Sequence, residues 1–392
     1  MEAIIPWLVT TFPPLAEPVA RLIVYVVYSV LLAFAAPVIV VVAYTYMERK
    51  VAARIQDRIG PNRAGPLGVF QGLADAVKML TKEDITPANA DRIVFNLAPA
   101  LATIGAVLVF AVLPVAPGFI GSDMQVGILY ALAVGALGEL AALMAGWSSH
   151  NKYAVIGAFR VVAQLVAYEI PIVLAVLVVV LTAGSMQMGA IVAAQDVPYV
   201  VVLPVAFFIF FIGNLAEIGR CPFDLMEAES EIVAGFHVEY SGMKFAFFFI
   251  GEYMHLFSAA GITTALFLGG WRGPFAGPDS IIGVILGFIY FMAKSSALIW
   301  VMMWIRGTLF RVRIDHMLDL AWKFLVPVGL VLLVAAAIVV KLPLFDGSVL
   351  RWLGLLAANV VVAALALMGV LAAARRSGSV TLRSVAGLGS RE

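Results

Sequence analysis

Residues 160–182 read RVVAQLVAYEIPIVLAVLVVVLT, and this stretch decides the fold. After Arg160 only Gln164, Tyr168, Glu169 and Thr182 bring a polar side-chain atom, over a length that about 1.5 Å of helical rise per residue turns into a bilayer crossing. In hydrocarbon every backbone N–H and C=O must find a partner within the chain, so such a run is helical. Comparable apolar runs fall near 22–46, 93–114, 126–146, 199–217, 244–269, 281–304, 324–342 and 351–373. The reading is an all-α, polytopic membrane protein with about nine transmembrane helices. The run at 199–217 is short, and no internal repeat is evident.

Composition agrees. Of 392 residues 63% are apolar and 12% charged, against about 25% charged in an ordinary soluble domain. A net charge of +1 points to no nucleic acid. Glu2 and Glu17 replace a basic leader, so no cleavable signal peptide is expected. The single cysteine, Cys221, excludes an intrachain disulfide and any all-cysteine iron–sulfur cluster held by this chain alone. His150, His237, His255 and His316 form no HxxxH pair, so no metal or haem site is expected.

Charge sets the orientation. Twenty of the 25 Lys and Arg residues fall in 47–92, 147–160, 218–244, 305–323 and the tail, and four (Arg21, Arg272, Lys341, Arg351) in the opposite connections. By the positive-inside rule the N-terminus lies outside and the C-terminus inside. One single-domain membrane unit then carries an inner loop (47–92), an acidic inner loop (218–243), an additional C-terminal helix (343–373) and a basic tail (374–392).

Within the first loop, Leu67, Phe70, Ala74, Val77 and Leu80 recur at helical spacing after Gly60-Pro61-Asn62 and Gly65-Pro66. A helix over 66–80 is too short to span and is expected to lie at the interface, as an anchor or as the wall of a cavity. Glu48, Arg49, Lys50, Arg54, Asp57 and Arg58 before it read singly as a solvated cuff.

Acidic residues carry the functional signal. Asp224, Glu227, Glu229 and Glu231 crowd into PFDLMEAESEIVAG (222–235), and Glu139, Glu169, Glu217 and Glu252 sit alone in the inner halves of four spans. Ionised groups in a bilayer are costly, so a chain that keeps them there uses them, and water-linked carboxyls make a proton relay. Converging carboxylates titrate jointly. Three of them would also suit a hard cation, although the loop has no nearby His or Asp-x-Asp spacing. Arg220 is spaced to pair with Asp224 if the segment is helical, and Lys294, inside a span, could partner an acid. Phe236, Tyr240, Phe245, Phe247, Phe248, Phe249 and Tyr253 would serve as packing or as a flat apolar surface for a ring with a long tail.

Four segments, 47–66, 68–83, 151–171 and 216–253, resemble the signatures of one family, the H subunit of NADH-quinone oxidoreductase (respiratory complex I), equivalent to the first mitochondrially encoded NADH dehydrogenase subunit. The likeness runs over about 20–345. The resemblance implies a membrane subunit of a proton-pumping NADH:quinone oxidoreductase. Such a subunit joins the peripheral arm and forms a quinone tunnel and the start of a buried-charge path. It assigns Glu139, Glu169, Glu217, Glu227, Glu229, Glu231 and Glu252, with Asp224, to proton coupling. Arg49, Arg58, Phe249, Arg306, Arg311 and Arg313, with the 66–80 helix, go to the quinone passage. It implies quinone (ubiquinone or menaquinone) as substrate and no redox centre on this chain, with FMN and iron–sulfur clusters in partner subunits. Antiporter-like and small membrane subunits are the other implied partners, and a bacterial plasma membrane, rather than the mitochondrial inner membrane, is the expected location. Two other readings stay open: the related subunit of a membrane-bound hydrogenase, and a stand-alone cation/proton antiporter.

Overall fold

Glycines at the contacts explain how closely the helices of this chain approach one another. A Cβ on Gly146 would sit 2.4 Å from Ala158 Cβ, and one on Gly213 would sit 2.4 Å from Ile172 Cγ1. Lipid supplies no hydrophobic drive between helices, so close backbone contact of this kind, with its dispersion energy, holds them together. The computed structural model describes residues 19, 36–226, 229–277, 280–342 and 348–388.

The main helices are α1 (Ala36–Ile55), α2 (Gln71–Thr81), α3 (Arg92–Leu108), α4 (Gly127–Gly135), α5 (Leu137–Ser148), α6 (Lys152–Ala183), α7 (Pro204–Glu217), α8 (Gly242–Phe267), α9 (Ile281–Thr308), α10 (Val326–Lys341) and α11 (Ser348–Leu388). Helices α4 and α5 form one membrane segment, and Ile314–Lys341 joins a short helix, a π-helical turn and α10 into another. Among the described residues seven segments are long and apolar enough to cross a membrane, and α7 is a shorter apolar helix at the fifth expected run. The start of the first expected run lies outside the described residues, and α1 holds its end.

Local chemistry sets the helix ends. Asn151 Oδ1 accepts the Tyr153 N–H at 3.0 Å to cap α6. Gly184, at φ 74°, closes it in the left-handed conformation. Ser280 Oγ caps α9 through Gly283 N–H at 2.9 Å. Helices α6 and α8 are central: 61% of each spanning window is buried, against 17% for α11.

Two expectations need adjusting. The interfacial helix begins at Gln71 rather than 66, because Leu67 (φ 56°) and Gly68 (φ 82°) are left-handed. A Cβ at Gly68 would lie 2.2 Å from Pro61 O. Phe70, Leu73, Val77 and Leu80 are exposed beside or along α2, while Gly72 packs on Val42 of α1. The C-terminal helix also does not stop at 373: its backbone stays helical to Leu388, through most of the basic tail. No proline breaks that stretch. The first residues expected in this helix, 343–347, lie outside the described residues.

Candidate functional site

Helices α1, α8 and α9 meet the turn after α7 in an ionic cluster whose centre, Arg220 and Glu48, is buried. Val40, Tyr44 and Glu48 recur every fourth residue on the buried face of α1, which brings the Glu48 carboxyl inward. Arg220 Nη1 binds Glu48 Oε1 at 2.5 Å, and Arg220 Nη2 lies 2.9 Å from Glu252 Oε1. Arg306 also reaches Glu48, and the Tyr253 hydroxyl donates to Glu48 Oε2 at 2.7 Å. The Arg220 guanidinium stands 5.1 Å from the centre of the Tyr253 ring. Two carboxylates thus face two guanidiniums, the balance that burial of charge demands.

One helical turn along α8 from Glu252, His255 Nε2 lies 3.5 Å from Glu217 Oε1. Gly135, without a side chain, leaves room for that carboxylate: a Cβ there would touch Glu217 Oε1 at 3.4 Å. Glu139 of α5 lies within electrostatic reach of Glu169, Glu217 and His255, and a small recess is shared by Glu139, Glu169 and Glu217. The charges therefore run from the Arg220 cluster to Glu217 and on to Glu139 and Glu169.

A cavity of about 140 Å³ lies alongside. Its lining combines the charged side chains of Asp224, Arg220, Arg306, Glu252, His255, Glu217 and Glu139 with the apolar ones of Met226, Phe236, Phe245, Phe248 and Phe249. The aromatic lining is anchored by Tyr240, stacked on Phe95 at 4.0 Å between ring centres and donating its hydroxyl to Phe95 O at 3.1 Å. Burial pushes the Tyr240 phenol up to about 12. Burial also pushes the His237 imidazole down to about 4, so this cavity histidine is neutral at pH 7. The Cys221 thiol is raised by burial and then by Asp224 beside it.

The acidic loop is stitched to the chain after α9. Asp224 Oδ2 accepts from Arg311 Nη2 at 3.1 Å, Cys221 Sγ approaches Leu309 O at 3.3 Å, and Val312 N–H donates to Pro222 O at 3.0 Å. This corrects the expected Arg220–Asp224 pair. Residues 220–226 turn rather than form a helix, so the i, i+4 geometry does not arise. Lys294 is corrected too, because its ammonium donates to Leu268 O, Gly270 O and Arg272 O at 2.8–3.0 Å, beyond the end of α8 and away from the acids.

Of the residues singled out by sequence, the cavity collects Glu139, Glu217, Asp224, Glu252, Phe249 and Arg306, with Glu169 in the adjoining recess and Arg311 behind Asp224. Others lie apart from it. Arg49 pairs with Asp75 at 2.6 Å on the α1–α2 surface, Arg58 is exposed beside Gln56, and Arg313 is exposed. Glu231 pairs with Arg160 at 2.5 Å and is about half exposed. Glu227 and the side chain of Glu229 lie outside the described residues. Sequence reasoning missed Glu48 and His255. The signals were present, in the Val40–Tyr44–Glu48 periodicity and in the i, i+3 spacing of Glu252 and His255.

The fold and site define a polytopic membrane protein that keeps a balanced ionic cluster beside a half-polar, half-aromatic cavity. The chain belongs to the family described as NADH dehydrogenase, whose model matches residues 28–337. It is 47% identical over 311 residues to the H subunit of NADH-quinone oxidoreductase from Dehalococcoides mccartyi strain CBDB1, covering 79% of this chain and 85% of that protein. With the corresponding protein of Geobacillus kaustophilus it shares 48% identity over 294 residues, 74% of this chain and 87% of the relative. With that of Phocaeicola vulgatus it shares 43% over 342 residues, 85% and 95% respectively.

Proposed function

We propose that this chain is a membrane subunit of a proton-pumping NADH:quinone oxidoreductase, in which the cavity serves as part of the quinone passage and the adjoining carboxylates begin the coupling path. One observation carries the reading: the aromatic side chains of Phe236, Phe245, Phe248 and Phe249 line the same cavity as a set of partly buried, mutually interacting acids and bases. The aromatic lining suits a quinone ring and its apolar tail. The charged lining responds to any change of charge in that space, because interactions in a low-dielectric surround are strong and the acids titrate as a set.

In this scheme quinone is the substrate, and electrons reach it from flavin and iron–sulfur clusters in partner subunits of a peripheral arm. Reduction of the quinone alters the charge that Arg220, Arg306, Glu48 and Glu252 experience. A proton then moves between Glu217, Glu139 and Glu169, with His255 beside Glu217 able to hold one, toward antiporter-like neighbours. Glu227, Glu229 and Glu231 feed the same path from the acidic loop, Arg311 and Asp224 shape its mouth, and α2 with Arg49, Arg58 and Arg313 forms the approach from the interface. The charge split supports an orientation with 47–92 and 218–243 on the inner side, which in this scheme is the cytoplasmic face of a bacterial plasma membrane.

Photolabelling tests the passage. A short-tailed azidoquinone applied to the intact complex should mark peptides holding Met226, Phe236 or Phe249, and excess unlabelled quinone should protect them. Labelling confined to other subunits under turnover would refute it.

A further inference from the structure

Helix α7 starts in a way that suits a bilayer poorly. Pro204, at its first position, has no N–H and divides 199–217 into a short turn, Tyr199–Val202, and α7 itself. Leu203 between them takes φ −123°, ψ 54°. The Val205 N–H that follows belongs to the first turn, where helical geometry offers it no acceptor. Water would satisfy such a donor at a surface, whereas hydrocarbon leaves it unmet.

The acceptor comes from 154 residues further along. Asn359 Oδ1 of α11 takes the Val205 N–H at 3.3 Å, while Asn359 Nδ2 donates to Leu355 O at 3.0 Å. Asn359 is 1% exposed and sits in ANVVVAALALM (358–368), a stretch otherwise without polar side chains. A second contact lies eight residues earlier: Arg351 Nη2 donates to Thr182 O at 3.3 Å, in the last turn of α6, where a cation favours the negative helix end. The Trp352 ring packs 5.9 Å from that of Tyr199. All three contacts come from beyond residue 337, where the family match ends.

We infer that α11 is a cap in trans for the helix pair α6–α7, with Asn359 and Arg351 as positioning residues for the coupling carboxylates Glu217 and Glu169. Glu217 lies at the far end of α7 from Val205, about 18 Å away along a rigid helix. Fixing the first turn fixes the axial position and rotation of that carboxylate. Glu217 there faces His255 from α8, Glu139 from α5 and Glu169 from α6. The inference rests on the coupling role proposed above for that group.

The test uses the intact complex in lipid nanodiscs. Asn359→Leu removes the acceptor at similar volume, and Asn359→Asp keeps a side-chain oxygen in place. Amide exchange is read on the peptide spanning 203–210, and quinone reductase activity is read against pH. Asn359→Leu should speed exchange at Val205 about threefold to tenfold and displace the pH profile, while Asn359→Asp follows the parent in both. Unchanged exchange, or faster exchange with an unmoved profile, would overturn the inference. If the Leu variant does not assemble, Arg351→Gln is judged the same way on the last turn of α6. Glu217→Gln run in parallel separates the two claims. A profile indifferent to that change sinks the coupling role, while exchange at Val205 still decides whether the cap exists.

Discussion

Replacing Arg220 by Met removes the guanidinium that holds Glu48 at 2.5 Å and Glu252 at 2.9 Å. Arg220 is 4% exposed and Glu48 8%, so solvent does little to screen the loss. Two carboxylates would then face the single guanidinium of Arg306. Each close pair is worth about 4 kcal/mol at an effective dielectric near 20, and breaking one side of a buried pair costs about 3–5 kcal/mol net. We expect Arg220→Met to lower the thermal stability of the detergent-purified complex and the amount that assembles. Arg220→Lys should recover only part of the loss, because one ammonium cannot bridge two carboxylates as a guanidinium fork does. The informative variant is the double change Arg220→Met with Glu252→Gln, which restores the charge count. Its stability should exceed the sum of the single effects by about 0.5–3 kcal/mol, the range for residues in direct contact. Strict additivity would refute the reasoning, since it would mean that Arg220 does not compensate Glu252.

Three further outcomes follow from the same geometry. His237 titrates at about 4 when buried in the fold and at about 6.5 when unfolded, so its contribution to stability is complete above pH 6.5 and is lost as pH falls toward 4. His237→Gln should remove about 3 kcal/mol of that acid sensitivity, seen as a flatter melting temperature against pH. Gly157→Ala would place a Cβ 2.8 Å from the Gly235 backbone; a cost of about 1–3 kcal/mol and weaker quinone reductase activity are expected, because the chain leading to His237 must shift. Arg311→Gln should loosen the half-buried tie to Asp224 for about 1 kcal/mol, detected as faster proteolysis within 218–226 and little change elsewhere.

Much of the fold could be read directly from the sequence. The apolar run at 160–182 is the inner part of α6, and those at 126–146, 244–269, 281–304 and 351–373 each coincide closely with a helix or a spanning segment. Hydrophobic burial in lipid acts locally, residue by residue, so composition suffices to find it. Boundaries were harder where backbone chemistry intervenes, as at Leu67–Gly68 before α2 and at Pro204 before α7. Three of the single acids on spans, Glu139, Glu217 and Glu252, line the cavity. The cluster at its centre was not legible. Arg220 meets Glu48 across 172 residues of chain, and Arg306 meets it across 258. The Val40–Tyr44–Glu48 spacing puts Glu48 on the apolar face of α1, but its partners appear only once α1 is packed against α8 and α9. The assignment of Arg220 to Asp224 failed for the same reason, since near neighbours in sequence lost to partners brought by the fold.

In the proposed scheme, carboxylates beside the cavity couple quinone chemistry to proton transfer. The direct measurement is proton translocation per NADH oxidised in proteoliposomes holding the complex with Glu217→Gln, beside electron flow to a water-soluble artificial acceptor. The account predicts undiminished flow to the artificial acceptor together with a steep, parallel fall in quinone reduction and pumping. Pumping at the parent stoichiometry and rate in that variant would contradict it.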